Sequence, residues 1–277
     1  MIRQRRINWV LCVLCFCFQS ALANFPREEL VPGGVSLIPL AEGKNGMVPK
    51  VSLRGHPVAL VANPKDPHKP WLAVVGIPLI DTHHGLHLKV YNGVQHYQKP
   101  ISVTQKAYRT EKLTLKGKKK GVSPEIEARV ADERAQMHHA FQSWNKADIS
   151  SFKLQKPVKG RISGYYGSRR IINGEMRDPH RGIDFAAPIG TPVKAAAAGK
   201  VVLVANHLLT GISVVLDHGQ GFKTVYCHLD KAKVKPGVHL KAGQILGTVG
   251  KTGRATGPHL HFGVNLNNER VSPELFF

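Results

Sequence analysis

Short apolar runs separated by proline and glycine dominate the first third of the chain. Four such runs lie between residues 24 and 107, at 34–39, 57–62, 71–78 and 86–91. Runs of this length, rich in β-branched residues and bounded by turn formers, are typical of strands rather than helices. The pattern predicts an all-β domain over residues 24–107, in the form of a small sandwich.

A helical pattern interrupts the β pattern between residues 123 and 144. Ser123 can cap the helix, Pro124 suits its first turn, and two glutamates follow at 125 and 127, where they complement the helix dipole. Apolar residues recur at intervals that place much of the set on one stripe: Ile126, Val130, Met137, Phe141 and Trp144. We expect residues 108–150 to form a linker, basic at 116–120, and a connecting helix whose stripe docks on a domain face.

The last part of the chain, residues 151–277, returns to a β pattern. Apolar runs at 212–216 and 222–227 flank a turn-rich segment, which indicates a hairpin. A weak repeat relates 190–202 to 237–249, with glycines at the ends of short runs, as in barrel-sandwich hybrid domains. The whole pattern predicts a mainly β protein: an N-terminal sandwich, a connecting helix and a C-terminal antiparallel β domain.

Two short motifs in the C-terminal part carry candidate chemistry. His259 and His261 alternate along an apolar run, so on a strand both imidazoles point to the same face. His180 and Asp184 are separated by a short glycine-containing segment that can turn both side chains towards one point. Two imidazoles and one carboxylate suit Zn²⁺ with one coordination position left for water. We therefore expect a catalytic zinc site here, with His228 nearby as a further candidate.

Other histidines and the neighbouring cysteine have simpler interpretations. Histidine occupies 15 of 277 positions, so some pairs arise by chance. The pairs His83–His84 and His138–His139 are adjacent in sequence, so their side chains diverge on a strand or helix, and we interpret them as surface or structural residues. Cys227 adjoins His228 but would face the opposite side of a strand, which indicates a small buried hydrophobe rather than a nucleophile.

The first 23 residues have the features of a secretory signal. Arginines precede an apolar run from 7 to 18, and Ala21-Leu-Ala23 fits a cleavage site. An uncleaved anchor and a lipoprotein are the alternatives, but the run is short for a membrane span and its cysteines lie inside it. We expect a periplasmic or secreted protein, cleaved near Ala23, with no stable membrane span. The single remaining cysteine, Cys227, then excludes an intramolecular disulfide.

The net charge of +21 indicates which partners to expect. The excess of basic residues is spread along the chain rather than confined to one tail, and such a field favours anionic polymers. No DNA-binding motif is recognised, and an exported protein meets cell-wall anions rather than nucleic acid. The HExxH helix is absent, which excludes a thermolysin-like site.

Three stretches, 167–193, 225–229 and 253–263, resemble the lysostaphin-type (LytM-like) zinc peptidases, which cut peptide cross-links in bacterial cell walls. The resemblance covers roughly residues 160–275. It implies that His180, Asp184 and His261 hold Zn²⁺ and that His228 and His259 are active-site histidines that do not bind the metal. The N-terminal pattern resembles the immunoglobulin-like domain that precedes the peptidase in some Gram-negative relatives, where it places or restrains the catalytic domain.

The resemblance also implies a substrate, peptidoglycan (murein), and a DD-endopeptidase activity. The alternative is a non-catalytic relative that binds and activates a cell-wall amidase, although such proteins usually lack the zinc ligands. A module that binds anionic polymers and a latent peptidase held by its N-terminal half are further alternatives. Residues near the motif can line the substrate groove or simply pack: Tyr165, Tyr166, Asn173 and Arg181. The loop 206–211 is less polar than in relatives, which affects the groove edge rather than the metal site.

Overall fold

The computed structural model describes residues 25–80, 82, 85–113, 123–176 and 178–277. The predicted signal segment at 1–23, the basic run at 116–120 and the pair His83–His84 lie outside these residues. Of the helices that this part of the chain forms, none combines the length and apolar character that a bilayer crossing requires.

Two antiparallel sheets form the N-terminal sandwich. Their strands are β1 (Val35–Leu40), β2 (Lys50–Leu53), β3 (His56–Pro57), β4 (Ala59–Ala62), β5 (Trp71–Gly76), β6 (Leu86–Tyr91) and β7 (His96–Ile101), with a 3₁₀ turn at Lys44–Gly46. The sheet orders are β1-β5-β4 and β3-β2-β6-β7. In β6 every second residue, such as Leu88, enters a core shared with Val75 of the other sheet. The predicted all-β architecture of this region is confirmed.

Strand β5 is buried on both faces, which explains its unbroken apolar sequence. Val75 faces the core of the sandwich, whereas Val74 belongs to the core of the C-terminal half. At the same strand the Asn267 side chain accepts from the Gly76 amide (2.6 Å) and donates to the Gly76 carbonyl (3.1 Å). The two halves of the molecule therefore pack through a continuous core.

Helix α1 (Pro124–Gln142) begins where the sequence predicts, because the Ser123 hydroxyl accepts from the Ile126 amide. Met137 and Phe141 pack against the outer face of the C-terminal sheet. The prediction of one docking stripe is wrong at its N-terminal end, where Ile126 is 44% exposed. Trp144, just beyond the end of the helix, is 37% exposed, but its ring lies against Gly221. The contact surface of the helix instead includes a buried carboxylate, Glu133, which a hydropathy pattern assigns to solvent.

The C-terminal half is a ten-stranded antiparallel sheet within the described residues. The strands are β9 (Arg161–Gly164), β12 (Ile183–Ala186), β13 (Pro192–Lys194), β14 (Gly199–His207), β15 (Gly211–Asp217), β16 (Lys223–Ala232), β17 (His239–Leu240), β18 (Ile245–Val249), β19 (His259–Leu266) and β20 (Glu269–Val271), followed by a 3₁₀ turn at Pro273–Phe276. The sheet follows the path β17-β14-β15-β16-β19-β12-β9, with β13, β18 and β20 beside it. The predicted hairpin is β15–β16.

A small fourth sheet joins residues that are distant in sequence. Strand β8 (Thr110–Leu113) pairs in parallel with β10 (Arg169–Ile172), which pairs in turn with β11 (Glu175–Met176). The segment predicted to be a linker thus begins with a strand attached to the C-terminal half. Pairing across such a separation leaves no local pattern, so sequence reasoning did not find it.

Candidate active site

Neighbouring strands bring the predicted metal ligands together. Asp184 on β12 stands directly opposite His261 on β19, and His180 lies on the turn that enters β12. The His180 Nε2, Asp184 Oδ1 and His261 Nδ1 atoms are 2.9–3.0 Å from one another. Among the described residues this cluster is the group whose donor atoms could hold a metal ion.

The donor chemistry of the cluster fits a cation. The Nδ1–H of His180 donates to the Tyr165 carbonyl (2.9 Å), so Nε2 of the neutral ring presents a lone pair to the cluster. A carboxylate oxygen and two imidazole nitrogens in contact repel one another unless a cation or proton lies between them. Tetrahedral Zn²⁺ holds its ligand atoms about 3.3 Å apart, close to the spacing observed.

The environment of Asp184 and His261 favours their unprotonated forms. Burial acts to raise the pKa of Asp184, but contacts with the His180 and His261 rings outweigh it and hold that pKa well below its usual range. Burial lowers the pKa of His261 to about 4. Metal ligands must be deprotonated, so both shifts suit the binding of a cation.

His228 and His259 flank the cluster, with ring centroids 4.7 Å apart and with His228 6.2 Å from His261. The Nδ1–H of His228 donates to the Thr252 carbonyl and that of His259 to the Gly257 carbonyl, each at 2.8 Å. Each neutral ring therefore keeps its lone pair on Nε2. Burial lowers the pKa of His228, which favours its neutral form.

The backbone of His228 adopts an uncommon conformation. Its φ of 60° lies in the left-handed region, which costs a non-glycine residue of order 1–3 kcal/mol and persists only where the surroundings hold it. The His228 amide donates to the Thr210 carbonyl at 2.9 Å. Cys227, one residue earlier, is buried beneath α1 with Met137 and Phe141, and burial raises the pKa of its thiol. The interpretation of Cys227 as a buried hydrophobe is confirmed.

The residues near the motif divide into packing and exposed groups. Tyr166 is buried and its hydroxyl donates to the Arg270 carbonyl, so it packs. Tyr165 is 42% exposed, with the Arg109 guanidinium 4.9 Å from its ring centroid. Arg181 and Asn173 are exposed, as are His138 and His139 on α1.

Sequence reasoning missed two glycines that make room for Asp184 and His261. A Cβ at Gly164 on β9 would lie 2.3 Å from Asp184 Oδ2, and a Cβ at Gly182 would lie 2.7 Å from His261 Cε1. Both distances are below any van der Waals contact. Glycine inside a strand pattern marks such close approaches and was the available signal.

Comparisons with known proteins identify the family. The model of peptidase family M23 matches residues 178–273, and that of the peptidase family M23 N-terminal domain matches residues 28–106. The crystal structure of a Pseudomonas aeruginosa protein assigned to peptidase M23 is 38% identical and superposes with a TM-score of 0.74, over 90% of this chain and 95% of that one. The chain belongs to peptidase family M23, and the resemblance to the lysostaphin-type peptidases is confirmed.

Curated relatives match about half of the chain. The peptidoglycan DD-endopeptidase ShyA of Vibrio cholerae is 44% identical over 133 residues, which are 46% of this chain and 31% of that protein. ShyB of the same organism, also a peptidoglycan DD-endopeptidase, is 38% identical over 148 residues, or 53% of this chain and 34% of that protein. The chain thus spans about a third of the length of these relatives.

Proposed function

We propose that this protein is a zinc-dependent endopeptidase that hydrolyses the peptide cross-links of bacterial peptidoglycan, as a DD-endopeptidase. The observation that carries the proposal is the site itself: two imidazole nitrogens and a carboxylate oxygen converge to within 3.0 Å of one another, with two further imidazoles beside them. Membership of family M23 and the printed activity of ShyA and ShyB support the same reaction and substrate.

In this proposal His180, Asp184 and His261 hold Zn²⁺. The ion would supply Lewis acidity, which polarises the scissile carbonyl and acidifies water. The Tyr165 carbonyl fixes the tautomer and the orientation of His180, a role that outer partners of metal-binding histidines commonly have. The low pKa of Asp184 keeps this carboxylate ionised at neutral pH.

His228 and His259 would handle the protons. Because Nδ1 of each ring is held by a backbone carbonyl, Nε2 is the nitrogen that can accept a proton from the attacking water and deliver one to the leaving amine. The lowered pKa of His228 leaves a neutral base available near pH 7. The two rings lie close enough together to serve one substrate bond.

We also propose the domain organisation and the location. The boundaries are a signal peptide at 1–23, an immunoglobulin-like domain at 24–107, a linker and helix at 108–150, and a peptidase domain at 151–277. Action on peptidoglycan places the protein in the periplasm or outside the cell. Comparing the full chain with one that starts at Phe152 tests whether the part before Phe152 restrains the site, since equal rates reject restraint.

The proposal is tested with purified cross-linked murein. We expect the full-length protein to contain zinc and to release muropeptides whose masses identify the bond that is cut. His261→Ala should abolish both zinc binding and release, because two ligands hold the ion poorly. Zinc is measured by mass spectrometry of the metal, and release by chromatography of the digest.

His239→Ala is the matched control, because His239 is exposed on β17, outside the site. It should behave as the wild type. Release of muropeptides by His261→Ala would contradict the catalytic proposal. A zinc-containing wild type that releases nothing would point to the non-catalytic alternative instead.

A further inference from the structure

The turn between β14 and β15, residues 207–210, is tied to helix α1 by a buried carboxylate. Glu133 Oε2 accepts from the Leu208 amide at 2.8 Å, while Oε1 accepts from Arg129 Nε at 2.8 Å. Glu133 is only 9% exposed, which is unusual for a glutamate and costs desolvation that both contacts must offset. A charged acceptor on a backbone amide is a strong hydrogen bond.

A second side chain of α1 reaches the same turn. Gln136 Oε1 accepts from His207 Nε2 at 3.2 Å, one helical turn away from the contact of Glu133 with Leu208. The side chains at 133 and 136 lie on one face of the helix because their spacing is three residues. The helix therefore holds two consecutive residues of the turn.

The far end of this turn holds His228. The Thr210 carbonyl accepts from the His228 amide at 2.9 Å, and the Thr252 carbonyl accepts from the His228 ring at 2.8 Å. Thr252 is linked to the same region, since its hydroxyl accepts from the Ile212 amide and donates to the Leu229 carbonyl. Backbone and ring of His228 are thus both fixed by groups that adjoin the turn.

Helix α1 also contacts the strand that carries His228. Met137 and Phe141 pack against Cys227, the residue immediately before His228 on β16. The left-handed backbone of His228 persists only where its surroundings hold it. The helix contacts those surroundings on two sides, through the turn and through Cys227.

We propose that Glu133 is a positioning residue for the reaction: by holding the Leu208 amide it fixes the 207–210 turn, and through Thr210 it holds His228 in the orientation that directs Nε2 to the reacting atoms. The inference rests on the proposed function, in which His228 handles protons. In this view α1 is part of the active-site support and not only a connection between two β domains.

The test compares Glu133→Ala with Glu133→Gln in the full-length, zinc-loaded protein. Alanine removes the acceptor for Leu208, whereas glutamine keeps an uncharged one. We expect Glu133→Ala to lower kcat on a purified cross-linked muropeptide dimer on the order of tenfold, with KM and zinc content unchanged. Glu133→Gln should recover most of kcat. Glu127→Ala, an exposed glutamate of the same helix, is the matched control and should keep the wild-type rate.

A readout that needs no turnover separates this inference from the proposed function. The imidazole resonances of His228 should shift in Glu133→Ala and stay in place in Glu127→Ala. Val90→Ala, in the core of the distant sandwich, serves as a variant of similarly lowered stability and should keep kcat. A wild-type kcat and unshifted His228 resonances in Glu133→Ala overturn the inference. A loss of kcat that also occurs in Val90→Ala, or that Glu133→Gln does not recover, likewise overturns the inference.

Discussion

At the scale of single residues, the position of the Asp184 carboxylate depends on free space beside it as well as on its charge. Gly164 stands opposite Asp184 across β9 and β12, and the carboxylate occupies the volume that any other side chain would fill. The ligand types themselves follow from chemistry that can be recognised in sequence, because few residue sets suit a cation. The glycine that gives Asp184 its room belongs to another strand, and only the pairing of the strands identifies it.

Gly164→Ala should therefore disable the cluster. The added methyl would lie 2.3 Å from Asp184 Oδ2, so either the carboxylate or the strand must shift. We expect zinc content and muropeptide release both to fall by more than about tenfold, since displaced ligands bind metal weakly. Arg161→Ala, which changes an exposed side chain of the same strand, should preserve both. Full zinc occupancy in Gly164→Ala would refute the steric argument.

A buried histidine outside the site predicts how stability depends on pH. His218 Nδ1–H donates to the Ala198 carbonyl, Nε2 lies 2.8 Å from the Thr224 hydroxyl, and burial lowers the pKa of His218 to about 4. Between pH 6.5 and 4 the unfolded chain binds a proton that the folded protein excludes. The free energy of unfolding contributed by His218 is thus complete above pH 6.5 and is lost as the pH falls, by up to roughly 3 kcal/mol.

Urea unfolding of the wild type and His218→Gln at pH 7, 5.5 and 4 measures this contribution. Glutamine can make similar hydrogen bonds but does not titrate, so the free energy of unfolding of the wild type should fall relative to that of His218→Gln as the pH falls. Parallel pH profiles for the two proteins would show that His218 is not the group responsible.

At the scale of elements, helix α1 and strand β16 form one unit. The N-terminal end of α1 is predictable, because Ser123 and Pro124 carry the capping chemistry in their own side chains. The C-terminal end depends on a distant residue: Lys223 of β16 is fully buried, and its Nζ donates to the Phe141 and Ser143 carbonyls. A cation at this end of a helix is stabilised by the negative end of the helix dipole.

Lys223→Met should destabilise the protein by about 3 kcal/mol, because it leaves two carbonyls and Asp217, 3.9 Å away, without their cation in the interior. Thermal or urea unfolding measures the change. Lys231→Met on the same strand is the control, since Lys231 is exposed and its loss should have little effect. Equal stabilities for the two variants would argue against the role of Lys223.

At the scale of the whole molecule, the N-terminal sandwich and the C-terminal sheet are joined by buried contacts. Val35, Ala59 and Val74 of the sandwich enter the same core as Phe262 and Leu266. The hydrogen bonds of Asn267 to both backbone groups of Gly76 lie inside this interface. Buried polar groups that lose their partners are costly, so the pair contributes to holding the halves together.

Asn267→Ala should lower the free energy of unfolding by roughly 2 kcal/mol more than Asn268→Ala does. Both residues have positive φ in the same turn, at 41° and 66°, so alanine adds a similar backbone cost in each. Asn268 makes one part-buried hydrogen bond of its own, to His56 Nε2 at 3.2 Å, so the comparison sets the two buried bonds to Gly76 against that single contact. Urea unfolding provides the measurement, and similar losses in the two variants would show that the bonds to Gly76 add no more than the contact with His56.

The sequence by itself determined what local chemistry can encode. Alternating or bounded apolar runs indicate strands, Ser123 and Pro124 start the helix, and the types and spacing of His180, Asp184 and His261 indicate a candidate cation-binding cluster. Only the tertiary structure decided that Glu133 is buried, that β8 pairs with β10, and that Gly164 makes room for Asp184. These features arise between residues far apart in the chain, where packing outweighs the preference of any single segment.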